Sequence, residues 1–261
     1  LAGRGCRLCT AEAKESEQDV NQSLASRSTL ERLVPAALDP NDVTGEETYR
    51  LHIERYDFAS RFISSGRVLD CACGVGYGSH RLLAGGDHTQ RVTGVDIDES
   101  AVAYARANFI DPRLDYICAD AAIFDGEPFD MIVSFETIEH VADPELLIEN
   151  FLRLLAPGGL LIASVPVTPS VDVNPFHLHD FTPSSFRRMF VRHGLTEIDS
   201  LLQRQPYQPL KMLAGKETRL SDMRKGLIGY YATHPGAALT RLYSTVVDGF
   251  CNKYLTSVWR R

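Results

Sequence analysis

Residues 68–78 read Val-Leu-Asp-Cys-Ala-Cys-Gly-Val-Gly-Tyr-Gly. An apolar run that reaches an aspartate and opens into glycines at 74, 76 and 78 predicts a buried strand, a close-turning loop and the free N–H groups of a helix start. Such a loop lets backbone approach a bound ligand closely. The dinucleotide pattern G-x-G-x-x-G would require a third glycine where Ser79 stands, so a nicotinamide cofactor fits poorly.

Outward from this stretch, short β-branched runs alternate with helical ones. Strands are expected at Arg67–Cys71, Arg91–Val95, Leu114–Ile117, Met131–Ser134, Leu160–Val165 and Thr196–Leu202. Helices fit Gly78–Leu83, Glu99–Ala107, Pro144–Leu155 and Pro183–His193, with Pro157-Gly158-Gly159 as a turn. This order predicts an α/β fold, a doubly wound, mostly parallel sheet with helices on both faces. Ligands of such sheets bind beyond the carboxyl ends of the strands. There the second strand ends in VTGVDIDES, placing Asp96 to accept from paired hydroxyls, with Asp98 as the cap of the next helix. The third ends in YICADAA, where Asp120 either accepts from a ring amino group or caps a turn, and the Ala121 backbone meets the ring edge.

VLDCACGVGYG, GVDID, CADA, FDMIVSFETIEHV and LLAPGGLLIASVP resemble the successive motifs of class I S-adenosylmethionine-dependent methyltransferases over about Glu46–Leu202. The resemblance implies a seven-stranded Rossmann-like sheet, strand order 3-2-1-4-5 with an antiparallel hairpin at the edge. It implies S-adenosyl-L-methionine as cofactor, with Gly74 and Gly76 along its methionine part, Asp96 at the ribose, Asp120 at the adenine and Phe135 at the rim of the fourth strand. Asp70, Ala72, Tyr77, Ile97 and Ala121 complete the expected cofactor set. A softer likeness, carried by ERYDFASRFISSGRVLDCACGVGYGS and VNPFHLHDFTPSSFRRMF, is to methyltransferases of polysaccharide and glycosylated natural-product pathways.

Methyl transfer to a hydroxyl calls for alignment and for a base near neutrality. His140, just after the fourth strand, is the first candidate, and His177 and His179 in the loop after the fifth are the second. Glu136, Glu139 and His140 also resemble the divalent-metal group of quinone-head O-methyltransferases, although no metal is expected here. Asp180 shares the loop of His177 and His179, and Thr182 caps the helix that follows. Tyr49, His52 and Tyr56 share one face of a helix expected from Glu46 to Ser64 and either close over the cofactor as a lid or pack the helix, while Tyr49 and Tyr56 with Glu136 and Asp180 are the expected acceptor contacts. Asn174-Pro175-Phe176 resembles the N-P-P-Y signature of amino-group methyltransferases but follows the wrong strand, which disfavours base N-methylation.

These readings divide the chain into an arm (1–28), a cap helix region (29–65), a cofactor-binding domain (66–202) and a C-terminal helical extension (203–261). In the extension Leu239, Leu242, Tyr243, Val246, Phe250, Tyr254 and Val258 recur at helical spacing, an apolar stripe suited to a homodimer contact. Residues 203–261 hold ten Lys or Arg against three Asp or Glu, whereas the preceding residues hold 17 against 31. An acidic body argues against nucleic-acid binding and for a small-molecule or glycan acceptor. No apolar run has the length of a membrane helix and no secretory leader is visible, so a cytoplasmic location is expected. Cys6 and Cys9 form a lone C-x-x-C without the second pair that a zinc site needs, and the remaining cysteines read as free thiols.

Overall fold

The computed structural model describes residues 32–38, 43–64, 66–85, 89–207 and 223–261. The arm, the Cys6–Cys9 pair and residues 208–222 of the extension lie outside them.

Among the described residues a single 3-10 turn (Pro35–Ala37) precedes helix α1 (Val43–Ser60), after which come β1 (Gly66–Cys71), α2 (Tyr77–Gly85), β2 (Thr89–Asp96), α3 (Glu99–Asn108), β3 (Leu114–Cys118) and β4 (Phe129–Phe135). The chain continues through α4 (Pro144–Leu154), β5 (Leu155–Pro166), α5 (Pro183–Arg192), β6 (Thr196–Pro206), α6 (Leu227–Thr233), α7 (Pro235–Asp248) and β7 (Cys251–Arg260). One seven-stranded sheet results, in the order β3-β2-β1-β4-β5-β7-β6. β1 to β5 pair in parallel, and β7 runs antiparallel to both β5 and β6. Strand order reverses between β1 and β4, and the crevice above that switch is where a ligand of this fold binds.

Local chemistry sets the boundaries. Asp98 caps α3 by accepting from the N–H groups of Ser100 and Ala101, Asp143 does the same for α4, and Thr182 forms a capping box with Ser185 at α5. The central strands are buried on both faces, as parallel strands between helix layers must be. On one face Ile132, Leu161 and Ala163 pack against Leu147, Phe151 and Phe186; on the other Val68, Val133 and Ile162 meet Phe58, Leu82 and Val102.

Two expectations are corrected. The Pro157-Gly158-Gly159 turn lies within β5: Leu155 pairs with Phe129 and Leu160 with Met131, so the turn residues bulge from a strand that started earlier. More consequentially, the apolar stripe is not one helix. α7 stops at Gly249 (φ +71), and Tyr254 and Val258 belong to β7, the inner strand of the terminal hairpin. A three- and four-residue spacing continues by coincidence across that glycine. Burial shows the difference, because residues 255–259 are consecutively buried, as only a strand covered on both faces requires. Trp259 packs there against Phe190, rings stacked at 4.7 Å. Among its described residues the extension therefore joins a helical insertion (α6 and α7) to a core strand (β7).

Candidate functional site

The crevice floor begins with Asp70, the fifth residue of β1 and 1% exposed. It accepts from Ser79 Oγ at 2.7 Å and from the Tyr56 hydroxyl at 3.3 Å. Burial pushes its carboxyl up to about 7 against these two donors, and Asp96 adds to the rise. The chain leaves β1 through Ala72 at φ +59 and Gly74 at φ +55. A Cβ on Gly74 would meet nothing within 4 Å, so the backbone here borders open space above the strand ends. Gly78 has a different reason: a Cβ would lie 1.9 Å from the Tyr56 ring, so this glycine lets α1 pack onto α2. Holding Ala72 in the left-handed region costs about 1–3 kcal/mol, and such strain gathers at binding sites.

Asp96 closes the next side. Its Oδ2 accepts from Gly74 N at 2.8 Å and its Oδ1 from Asp98 N at 2.9 Å, which fixes the carboxylate plane while each oxygen keeps a lone pair. Beside it Ile97 is 72% exposed, an apolar platform at the mouth. Asp120 is exposed and forms a turn, Oδ1 accepting from Ala122 N at 2.9 Å, while the Ala121 carbonyl accepts from Asn150. An open glycine backbone, a fixed carboxylate and an exposed apolar side chain fit a nucleoside linked to a flexible chain.

The helix α1 face does gather over this loop. Tyr49 and Tyr56 set their rings edge-on to Tyr77 at 5.5 and 6.1 Å, and His52 Nδ1 lies 2.6 Å from the Tyr77 hydroxyl. Tyr56 is nearly buried, packed against Phe135 at 5.0 Å and bonded to Asp70, so it forms the wall rather than the rim.

At the end of β4 the structure rearranges the expected acidic group. Glu136, at φ +50, turns its Oε1 to the Ser164 hydroxyl at 2.7 Å, away from the Glu139–His140 pair. His177 takes its place: Glu139, His140 and His177 offer donor atoms all within 4.8 Å of one another, close enough for a divalent cation. The His140 and His177 rings meet edge-on at 4.6 Å. His140 Nδ1 lies 3.1 Å from the Phe176 carbonyl, an acceptor, which commits the ring proton to Nδ1 and the basic lone pair to Nε2. His177, bonded through Nδ1 to Ser170 Oγ at 2.7 Å, is pushed down to about 3 by burial and by neighbouring His140. It is neutral at physiological pH. His179 stands apart, its Nε2 2.9 Å from the Val141 carbonyl, and Asp180 spends Oδ1 on the backbone N–H groups of Ser170 and Val171.

Sequence reading missed Ser79, which bonds Asp70 within the same strand–loop–helix unit, and Arg55 and Ser164, whose partners lie farther along the chain. It also missed Asp172. Its buried carboxylate receives Arg241 of α7 at 2.8 Å and the Tyr231 hydroxyl at 2.6 Å, clasping the helical insertion to the loop that carries His177.

Residues 69–163, a little over a third of the chain, match the family model of a methyltransferase domain. A protein of Mycolicibacterium smegmatis described as a probable S-adenosylmethionine-dependent methyltransferase is 31% identical over 182 residues, 66% of each chain. A ubiquinone biosynthesis O-methyltransferase of Coxiella burnetii is 40% identical over 101 residues, 37% of this chain and 42% of that one. Among solved structures, the [4+2]-cyclase SpnF superposes with a TM-score of 0.61 at 18% identity, covering 94% of this chain and 92% of its own. The chain thus spans about two thirds or less of the lengths of these two sequence relatives. The strand order and the matches together make residues 69–163 a methyltransferase domain of the S-adenosylmethionine-dependent class, and S-adenosylmethionine is the cofactor they support.

Proposed function

We propose that the whole chain is an S-adenosylmethionine-dependent O-methyltransferase acting on a hydroxyl of a sugar or glycosylated small molecule. The fixed tautomer of His140 carries this reading. Its Nδ1 lies against the Phe176 carbonyl, which places the lone pair on Nε2, the atom that would take the hydroxyl proton as the new bond forms. When bound, S-adenosylmethionine would supply a methyl group on a sulfonium, released to the acceptor oxygen with the thioether as leaving group. Asp96 would accept from the ribose hydroxyls and Asp120 from the adenine amino group, and Gly74 and Gly76 would admit the methionine chain. Neutral His177 lines the acceptor side without competing for the proton.

A second acceptor class, a quinone or polyketide phenol, is favoured by the 40% identity to the ubiquinone O-methyltransferase. A non-catalytic binding module is the remaining alternative, since a fold shared with a [4+2]-cyclase does not by itself define methyl transfer. The apolar face of α7 is proposed as a contact between two copies. No described helix is long and apolar enough to cross a membrane.

Calorimetric titration with S-adenosylmethionine and, separately, NAD tests the cofactor assignment. The expected result is micromolar binding of S-adenosylmethionine alone, lost in Asp96→Ala; binding of NAD alone overturns it. His140→Ala should then lower kcat on a methylated acceptor by about 10²–10⁴-fold, with turnover unaffected by chelators. Loss of turnover on chelation, restored by a divalent cation, would move the role of His140 from base to metal ligand.

A further inference from the structure

Tyr116 is a buried residue of β3 that stands in one row across the sheet with Gly94 of β2 and Asp70 of β1. Because Gly94 has no side chain, the Tyr116 ring can lean across β2: a Cβ on Gly94 would lie 2.7 Å from the ring's Cδ1. The hydroxyl thereby reaches the glycine loop after β1 and donates to the Gly76 carbonyl at 2.9 Å. Gly76 is fitted to the same side chain, since a Cβ there would lie 2.8 Å from that hydroxyl and 2.6 Å from the Ala105 Cβ. The backbone of Tyr116 is held by α3, Arg106 Nη2 donating to its carbonyl at 2.7 Å. Burial pushes the phenol well above its ordinary range, so the group stays a protonated donor.

The carbonyl that receives this hydroxyl is the one that joins the loop to α2, for it also accepts from His80 N at 3.1 Å in the first turn of that helix. In a trans peptide the N–H points opposite to the C=O. Holding the Gly76 carbonyl on Tyr116 therefore turns the Tyr77 N–H away from the tyrosine, to the side from which a ligand meets a helix start. At its other end the loop is tied by Gly74 N, which donates to Asp96 Oδ2 at 2.8 Å. One tie is a carboxylate of the site itself; the other is a side chain buried beneath it. We propose that Tyr116 is a positioning residue for the cofactor, its hydroxyl setting the conformation in which the Gly74–Gly76 loop receives S-adenosylmethionine. This rests on the cofactor reading above and adds a residue that acts through the loop without touching the cofactor. Gly76 and Gly94 are then glycines for a second reason besides the approach of a ligand: together they seat the tyrosine.

Tyr116→Phe removes the one oxygen and leaves the ring in its slot. Tyr254→Phe removes a hydroxyl of the terminal hairpin, bonded to Gln205 Oε1 at 2.8 Å, and serves as control. Both are compared with the wild type by calorimetry with S-adenosylhomocysteine, by thermal melting, and by the amide resonances of isotopically labelled glycines in the ligand-free protein. Tyr116→Phe is expected to weaken S-adenosylhomocysteine by up to about tenfold, the worth of one buried hydrogen bond. It should also shift the resonances of Gly74, Gly76 and Gly78 while leaving those of Gly158 and Gly194 in place. Tyr254→Phe should bind as the wild type does, whatever melting temperature it loses. Should Tyr116→Phe not fold, Gly94→Ala, which displaces the ring and keeps the hydroxyl, takes its place with the same expectation. Unchanged affinity in Tyr116→Phe, weakened affinity with the loop resonances unmoved, or an equal loss of affinity in Tyr254→Phe overturns the assignment. Failure of the wild type to bind S-adenosylhomocysteine overturns the cofactor reading itself, and this assignment with it.

Discussion

Asp70 is buried where no described cation pairs with it, and its proton is correspondingly hard to remove. Because the folded carboxyl titrates near 7 and the unfolded one in the ordinary range, the native state binds the extra proton between them. Wild-type stability therefore falls as pH rises through that window and is level above it. Relative to wild type, Asp70→Asn should gain in urea midpoint from about pH 4 to about pH 7 and hold a constant offset beyond. An offset independent of pH would mean that Asp70 is ionised throughout. The three aspartates were legible in the sequence because each lies within two residues of the end of a β-forming run, Asp70 inside β1, Asp96 at the last residue of β2 and Asp120 just past β3. Arg55, Ser164 and Asp172 were not, since Arg55 answers Gln203, Ser164 answers Glu136 and Asp172 answers Arg241, pairings that only the folded sheet creates.

The parallel half of the sheet could be read from strand–helix alternation, and its caps from Asp98 and Thr182. The edge hairpin came from the family resemblance and not from periodicity, which missed β7 because Leu239 to Val258 satisfies a helical spacing on both sides of Gly249 and carries no stop signal. Physically, β7 is decided by its place between β5 and β6, where Trp259 pairs with Leu161 on one side and with Glu197 on the other. A strand in that place contributes to the core rather than decorating it. Trp259→Ala removes the ring stacked on Phe190 and should destabilise the fold by about 3–5 kcal/mol, read as a lowered denaturation midpoint. A shift no larger than that of an exposed substitution would show that the hairpin docks only loosely.

Over the whole molecule, the α6–α7 insertion is amphipathic in the inverted sense. Arg241, its cation, points inward to the buried Asp172, whereas Leu239, Leu242, Tyr243, Val246 and Val247 are exposed on the opposite side. A single copy leaves that face in water, at a cost set by its apolar area. Lipid-surface helices carry lysine or arginine along their polar face, but the only basic residue of α7 is already committed to Asp172. An uncharged patch with a central tyrosine instead suits the same patch of a second copy, where no like charges would be buried. Light scattering after size-exclusion chromatography should give twice the chain mass, and Leu242→Asp with Val246→Asp should return it to one while leaving the far-ultraviolet circular dichroism unchanged. A wild-type monomer across the micromolar range would sink this contact. Because Arg241 joins the same helix to the loop of His177, dissociation of the pair should also raise KM for the proposed acceptor more than for S-adenosylmethionine, whose proposed contacts, Gly74 and Asp96, lie outside that loop.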